Sequence, residues 1–168
     1  MKVDAQKGHS PSFRLEDFFA GRTRAWGLFV DRFGKVRRQF RVTVDGIWDG
    51  EVLTLVEDFA YDDGDTERRI WSVRPDGAQG YVGEADGVVG TANGTASGNA
   101  VNWRYAFDLQ MKAGSLRVRF DDWMYRQDDR VMINRARVTK WGILLGEALI
   151  FFSKEADAQA AGLAVAAE

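Results

Sequence analysis

Asp121 and Asp122 stand side by side in FDDWMY, residues 120–125, inside a segment that otherwise alternates apolar and polar residues as a half-buried strand does. Neighbouring residues of a strand project to opposite faces, so one of these carboxylates must look inward. A tight turn at Gln127-Asp128-Asp129 predicts which one. It sets Asp122 opposite Asn134 and Met124 opposite Met132 on the inner face, and Asp121 opposite Arg135 on the outer face. The loop Asp62-Asp63-Gly64 supplies a second pair by the same logic, with Glu57 directly across from Arg69. Glu57, Arg69, Asp122 and Asn134 are therefore polar candidates on faces that are otherwise aromatic and aliphatic, with Arg38 joining them nearer a rim.

A buried carboxylate without a partner shifts its pKa and neutralises, so these groups are expected to pair with one another. Three chemistries fit. The groups can form a structural network that fixes strand order. They can be the polar end of an apolar cavity, orienting a ligand whose body lies against Trp71, Tyr81, Trp103, Tyr105 and Phe120. Or Glu57 or Asp122 can serve as a general acid or base, raised in pKa by an apolar site, with Arg69 stabilising charge and no cofactor required.

Other chemistries are disfavoured by composition. The 168 residues contain no cysteine and a single histidine, His9, in a polar amino-terminal segment, so neither a histidine-based triad nor a thiolate or histidine metal site is expected. Lys plus Arg number 23 against 25 Asp plus Glu, and a net charge of -2 supplies no basic field for nucleic acid. Arg117, Arg119, Arg135 and Arg137 do cluster on one outer face, but Asp108 and Asp121 lie among them, as on a solvated sheet. The acidic turns at Asp62–Asp65 and Asp128–Asp129 lack the ligand spacing of a calcium loop. GVVGTANG lacks the strand and helix that a phosphate loop needs.

These candidates need strands to hold them, and the chain reads as about ten short strands joined by glycine turns. Asp62-Asp63-Gly64, Arg32-Phe33-Gly34 and Pro75-Asp76-Gly77 each suit a three-residue hairpin loop with glycine in the left-handed position. From the first, Leu53, Leu55 and Phe59 oppose Val73, Trp71 and Glu67. From the second, Trp26, Leu28 and Val30 share a core face with Val36, Phe40, Val42 and Val44. From the third, Trp71 opposes Tyr81 and Val73 opposes Gln79. The segment from Gly83 to Ala100 suits one strongly bent strand, and LEDFFAG at 15–21 one short helix. The final strand in GILLGEALIFF is apolar on both faces, so its parity stays open.

A single meander must hide its edges, and closure into a barrel does so; a two-sheet β-sandwich is the alternative. The series DRFGK, EDFAYDDGD, RRIW, YVGEADGVVG, SGNAVNWRY, FDDWMY, INRA and GEALIFF resembles a proteobacterial family of uncharacterised proteins, domain of unknown function 3833, from Phe13 to Lys154. That resemblance carries no established activity and implies a lipid-like ligand. FFAGRTRAWG is similar to the helix and G-x-W opening of lipocalins, although Gly21 and Trp26 are spaced too far apart. The expected fold is all-β: an antiparallel up-and-down lipocalin-like β-barrel of about 8–10 strands with a short N-terminal helix near its opening. It forms one domain over residues 13–154, with 1–12 and 155–168 as flexible termini.

The expected function is binding of a small hydrophobic or lipid-like molecule, the alternatives being a cofactor-independent isomerase or hydrolase and a structural barrel with no ligand. A filled interior would favour the last. The amino terminus has no apolar run, so no transmembrane segment and a cytoplasmic location are expected, or a periplasmic one had a lipoprotein-type leader been removed.

Overall fold

In the computed structural model, which describes residues 3–155, ten antiparallel strands close on themselves. A 3-10 turn at Val3–Gln6 and a helix, α1 (Leu15–Phe19), precede β1 (Gly21–Asp31), β2 (Val36–Trp48), β3 (Leu53–Tyr61), β4 (Thr66–Asp76) and β5 (Gly80–Ala85). The ring continues through β6 (Val88–Ser97), β7 (Ala100–Met111), β8 (Gly114–Arg126), β9 (Val131–Lys140) and β10 (Ile143–Lys154). Each strand pairs with its chain neighbours, and β10 returns to β1, with Trp26 opposite Phe151. Closure leaves no edge strand, which sets aside the sandwich.

The barrel has one closed end and one open end. At the closed end α1 lies across the lumen, with Phe13, Leu15, Phe18 and Phe19 all buried. Its five residues carry no side-chain N-cap, so the helix is held by this packing rather than by its own propensity. Tyr81 holds it in place: the phenol donates to Glu16 (2.7 Å) and accepts from the Leu15 N–H (3.2 Å). Gly46 makes the close approach possible, because a Cβ there would lie 1.7 Å from the Phe19 carbonyl oxygen. The 3-10 turn packs beside this end on the β6–β7 turn, where Phe13 N–H donates to Gly98 O at 2.9 Å. At the opposite end, the lumen-facing Phe29, Phe40, Phe59, Leu109, Leu116 and Leu145 pack on the core and are only partly buried. The carboxyl-terminal part of the tail read from sequence, 156–168, lies outside the described residues.

The Asp62–Gly64 hairpin has the expected register, Leu53 to Val73, Leu55 to Trp71 and Glu57 to Arg69. Elsewhere four expectations are corrected. The Arg32–Gly34 turn forms as expected, Asp31 N–H bonding to Lys35 O at 2.9 Å, but a bulge at Arg37 follows it. That extra residue inverts the parity of β1, so Thr23 and Ala25 are buried inside while Trp26 faces outward, 45% exposed, and Val36 is exposed too. In the β4–β5 hairpin the strands run on to Asp76 and Gly80, so Trp71 meets Ala85, Val73 meets Gly83, and Tyr81 meets Pro75. The shift is even and leaves each side chain on its expected face.

In the β8–β9 hairpin Asp122 opposes Ala136, Met124 opposes Asn134, and Asp121 opposes Arg137. The cause is Asp128, whose Oδ1 accepts from the N–H groups of Arg130 and Val131, both at 2.8 Å, and so shapes a 128–130 loop closed by Gln127 and Val131. This shift is also even, so Asp122 stays inside. The segment from Gly83 to Ala100 is not one bent strand, because Asp86-Gly87 turns the chain, with Gly87 at φ 89, and splits it into β5 and β6. In β10, Ala148, Ile150 and Phe152 pack on the core and Leu149 and Phe151 face out.

Candidate functional site

Seven of the nine residues singled out from sequence gather in the middle of the lumen. Glu57 and Arg69 are Cα partners across β3 and β4, and Trp103 and Asp122 across β7 and β8. Aromatic rings join the two sides: Trp71 meets Trp103 edge-on at 5.6 Å and Tyr105 at 5.2 Å, and Tyr105 stacks on Phe120 at 5.0 Å. Two glycines, one on β5 and one on β6, make room for the largest ring. A Cβ on Gly83 or Gly94 would come within 2.6 or 2.5 Å of the Trp103 indole. The other two residues lie elsewhere, Tyr81 bonded to α1 at the closed end and Asn134 buried opposite Met124.

The polar groups do not pair as expected. Arg69 forms its ion pair with Glu67, Nη2 to Oε1 at 2.7 Å, and lies over the Phe107 ring at 4.4 Å. Its Nε is shielded from solvent and has no hydrogen-bond partner, and the same holds for Oδ1 of Asp122. Glu57 accepts a bond from the Trp71 side chain instead of a guanidinium. Arg38 lies at the open end, bonded to Asp63 and Asp65 of the neighbouring hairpin and over the Tyr61 ring. Asp121 faces outward, where it accepts from Asn102 (2.7 Å) and Arg104 (3.2 Å).

Burial in an apolar surround raises both inner acids. Glu57 is pushed up to about 7, with Arg69 opposing the rise and Glu67 adding to it. Asp122 is pushed up to about 8 by burial, reinforced by Asp121 and Glu57 and opposed by Arg69. Burial and then Asp122 hold the Tyr105 phenol well above its ordinary value. Near neutrality, Asp122 is therefore mostly a neutral acid, able to donate as well as accept, and Arg69 is a cation.

Sequence reasoning missed Glu67 and Phe107, the groups that occupy Arg69. Period two carried the signal for the first, since Glu67, Arg69 and Trp71 share one face of β4. Two shallow concavities lie outside the barrel rather than in the lumen. One of about 330 Å³ is bordered by Arg104, Arg119 and Arg137, and one of about 350 Å³ by Trp26, Ile133, Leu149 and Phe151. Among the described residues no group of three or more His, Asp or Glu side chains is arranged to hold a metal ion, and no helix is long and apolar enough to cross a membrane.

Residues 1–154 match the family model described as "Protein of unknown function (DUF3833)". Comparison with curated proteins finds no match. Among solved structures the chain is similar to the S-type phycobiliprotein lyase CPES from Guillardia theta, with a TM-score of 0.62. The likeness covers 86% of this chain and 94% of that one at 8% identity, and at that identity it shows the barrel fold alone.

Proposed function

Since the chain belongs to this family of proteins of unknown function, we propose from its own side chains that the barrel binds a small hydrophobic or lipid-like molecule, polar end inward, in the lumen. One observation carries the reading: a shielded donor, Arg69 Nε, and a shielded acceptor, Asp122 Oδ1, both lack partners within a wall of aromatic rings. An unmade bond at a buried polar atom costs about 1–3 kcal/mol, which a ligand head group would recover. Entry is from the open end, past the partly buried Phe29, Phe40, Phe59, Leu109 and Leu116. The structural neighbour is named a phycobiliprotein lyase, which is compatible with a barrel that handles a small molecule.

The test is a titration with a fluorescent fatty acid and its methyl ester, read by energy transfer from the tryptophans, of which Trp71 and Trp103 line the lumen, together with mass spectrometry of whatever co-purifies from the native source. Saturable binding at one molecule per chain, weakened about tenfold in Arg69→Met, supports the reading. No saturable signal and no co-purified molecule would leave the buried groups as a structural network.

The raised acids favour one further reading, a proton-transfer enzyme using Glu57 or Asp122. Asp122→Asn separates the two. A residue that only orients a head group costs affinity about tenfold, whereas a group that moves a proton costs turnover by orders of magnitude.

A further inference from the structure

The open rim is divided by charge and by apolar exposure, and the division follows the order of the strands. Five hairpin tips surround the mouth: β1–β2, β3–β4, β5–β6, β7–β8 and β9–β10. Because β2, β1, β10, β9, β8 and β7 are consecutive around the ring, the β1–β2, β9–β10 and β7–β8 tips form one continuous half of it. That half carries Phe33 (80% exposed), Trp141 (88%), Ile143 (53%) and Met111 (56%). It also carries the cations Arg32, Lys35, Arg37, Lys112 and Lys140, against a single tip acid, Asp31, which Arg37 neutralises. The other half, at β3–β4 and β5–β6, carries Asp62, Asp63, Asp65, Glu84 and Asp86.

Singly, exposed apolar side chains are ordinary, but four of them gathered on one half of a rim mark a surface that meets another phase or partner. Here each of the two largest is paired with a cation from its own hairpin: Arg32 lies over the Phe33 ring at 4.8 Å, and Lys140 over Trp141 at 4.5 Å. A ring backed by a cation suits the boundary between lipid headgroups and acyl chains, where the ring enters the apolar layer and the cation meets phosphate. The tips are separate points around an opening rather than a flat patch, so they can enter a fluid interface but offer a folded protein little continuous area. A chain of net charge -2 would be repelled by an anionic surface unless oriented, and the divided rim supplies the orientation.

We infer that the β1–β2, β7–β8 and β9–β10 tips dock this protein, mouth first, on an anionic phospholipid bilayer. This goes beyond the lumen reading and does not depend on it. Docking stands on rim residues alone, while a barrel that takes its ligand from lipid would need its mouth there.

The experiment is flotation of the full chain with phosphatidylcholine vesicles, with and without phosphatidylglycerol, at low and high salt. Phe33→Ser combined with Trp141→Asn removes the rings at exposed positions, asparagine suiting the φ of 50 at Trp141. Lys35→Glu with Lys112→Glu reverses charge on two of the tips. The inference expects binding that requires phosphatidylglycerol, weakens with salt, and falls by about tenfold or more in either variant. Trp26→Ser, on the outer wall, should bind as the parent does. Absence of binding to anionic vesicles, or binding equal in parent and rim variants, would overturn it. So would a concentration-dependent dimer of the parent that the same variants abolish, since the rim would then face a second copy. Fatty-acid titration of the rim variants keeps the two readings apart, because a rim failure leaves lumen affinity unchanged.

Discussion

Glu57 and Arg69 face each other across β3 and β4, yet the guanidinium turns to Glu67 at 2.7 Å and leaves Glu57 to the Trp71 indole. Glu67 is the more exposed of the two acids, and pairing there removes less hydration from the carboxylate. The inner acid is left in an apolar surround and rises toward neutrality.

Glu67→Gln should therefore redirect Arg69 to Glu57 and, together with the loss of the Glu67 charge, lower the Glu57 pKa from about 7. Carbon-13 NMR titration of the side-chain carboxyls reads this directly. An unchanged or higher value would show that Arg69 does not respond to the loss of its present partner.

The two inner acids give folding a pH dependence of defined sign. Their values rise from 4.5 to about 7 for Glu57 and from 3.8 to about 8 for Asp122. Between the lower and upper values the folded chain holds protons that the unfolded chain has released, so their contribution to stability is fully present at low pH and is lost as pH rises through the folded values. The loss approaches about 1.4 kcal/mol per group for each pH unit inside that window. Asp122→Asn should flatten the urea-midpoint profile between pH 5 and 8, and raise the midpoint at pH 8 more than at pH 5. A parallel shift at both pH values would contradict the assignment.

Gly83→Ala and Gly94→Ala each drive a methyl to within 2.6 or 2.5 Å of Trp103. Overpacking of this kind costs about 1–3 kcal/mol. Trp103→Leu should restore tolerance to both alanines in a double-mutant cycle by urea unfolding. Additive losses would place the strain elsewhere.

Gly46→Ala places its Cβ 1.7 Å from the Phe19 carbonyl, a backbone atom that cannot swing aside. The variant should lift α1 from the closed end, expose Phe18 and Phe19, and speed amide exchange at Leu15 and Phe18, whose N–H groups bond Tyr81 and Arg14. Protection equal to the parent's would mean that the helix does not rest on β2.

Alternation and turn chemistry made much of this molecule legible without coordinates. The all-β meander, the exact partners across Asp62–Gly64, and the inward aspect of Asp122 rather than Asp121 all follow from a side-chain period of two, which survives any even error in register. That is why two hairpins displaced from their expected pairing still kept every candidate on its proper face. Odd changes are different. The single extra residue at Arg37 reversed the wall that carries Trp26, and nothing local to β1 announces it, because the inserted residue lies on the partner strand β2. Which acid claims Arg69, which end α1 seals, and which three hairpin tips become neighbours on the rim depend on distances between strands far apart in the chain. Local pattern decides which way a side chain points; only closure of the ring decides what it meets.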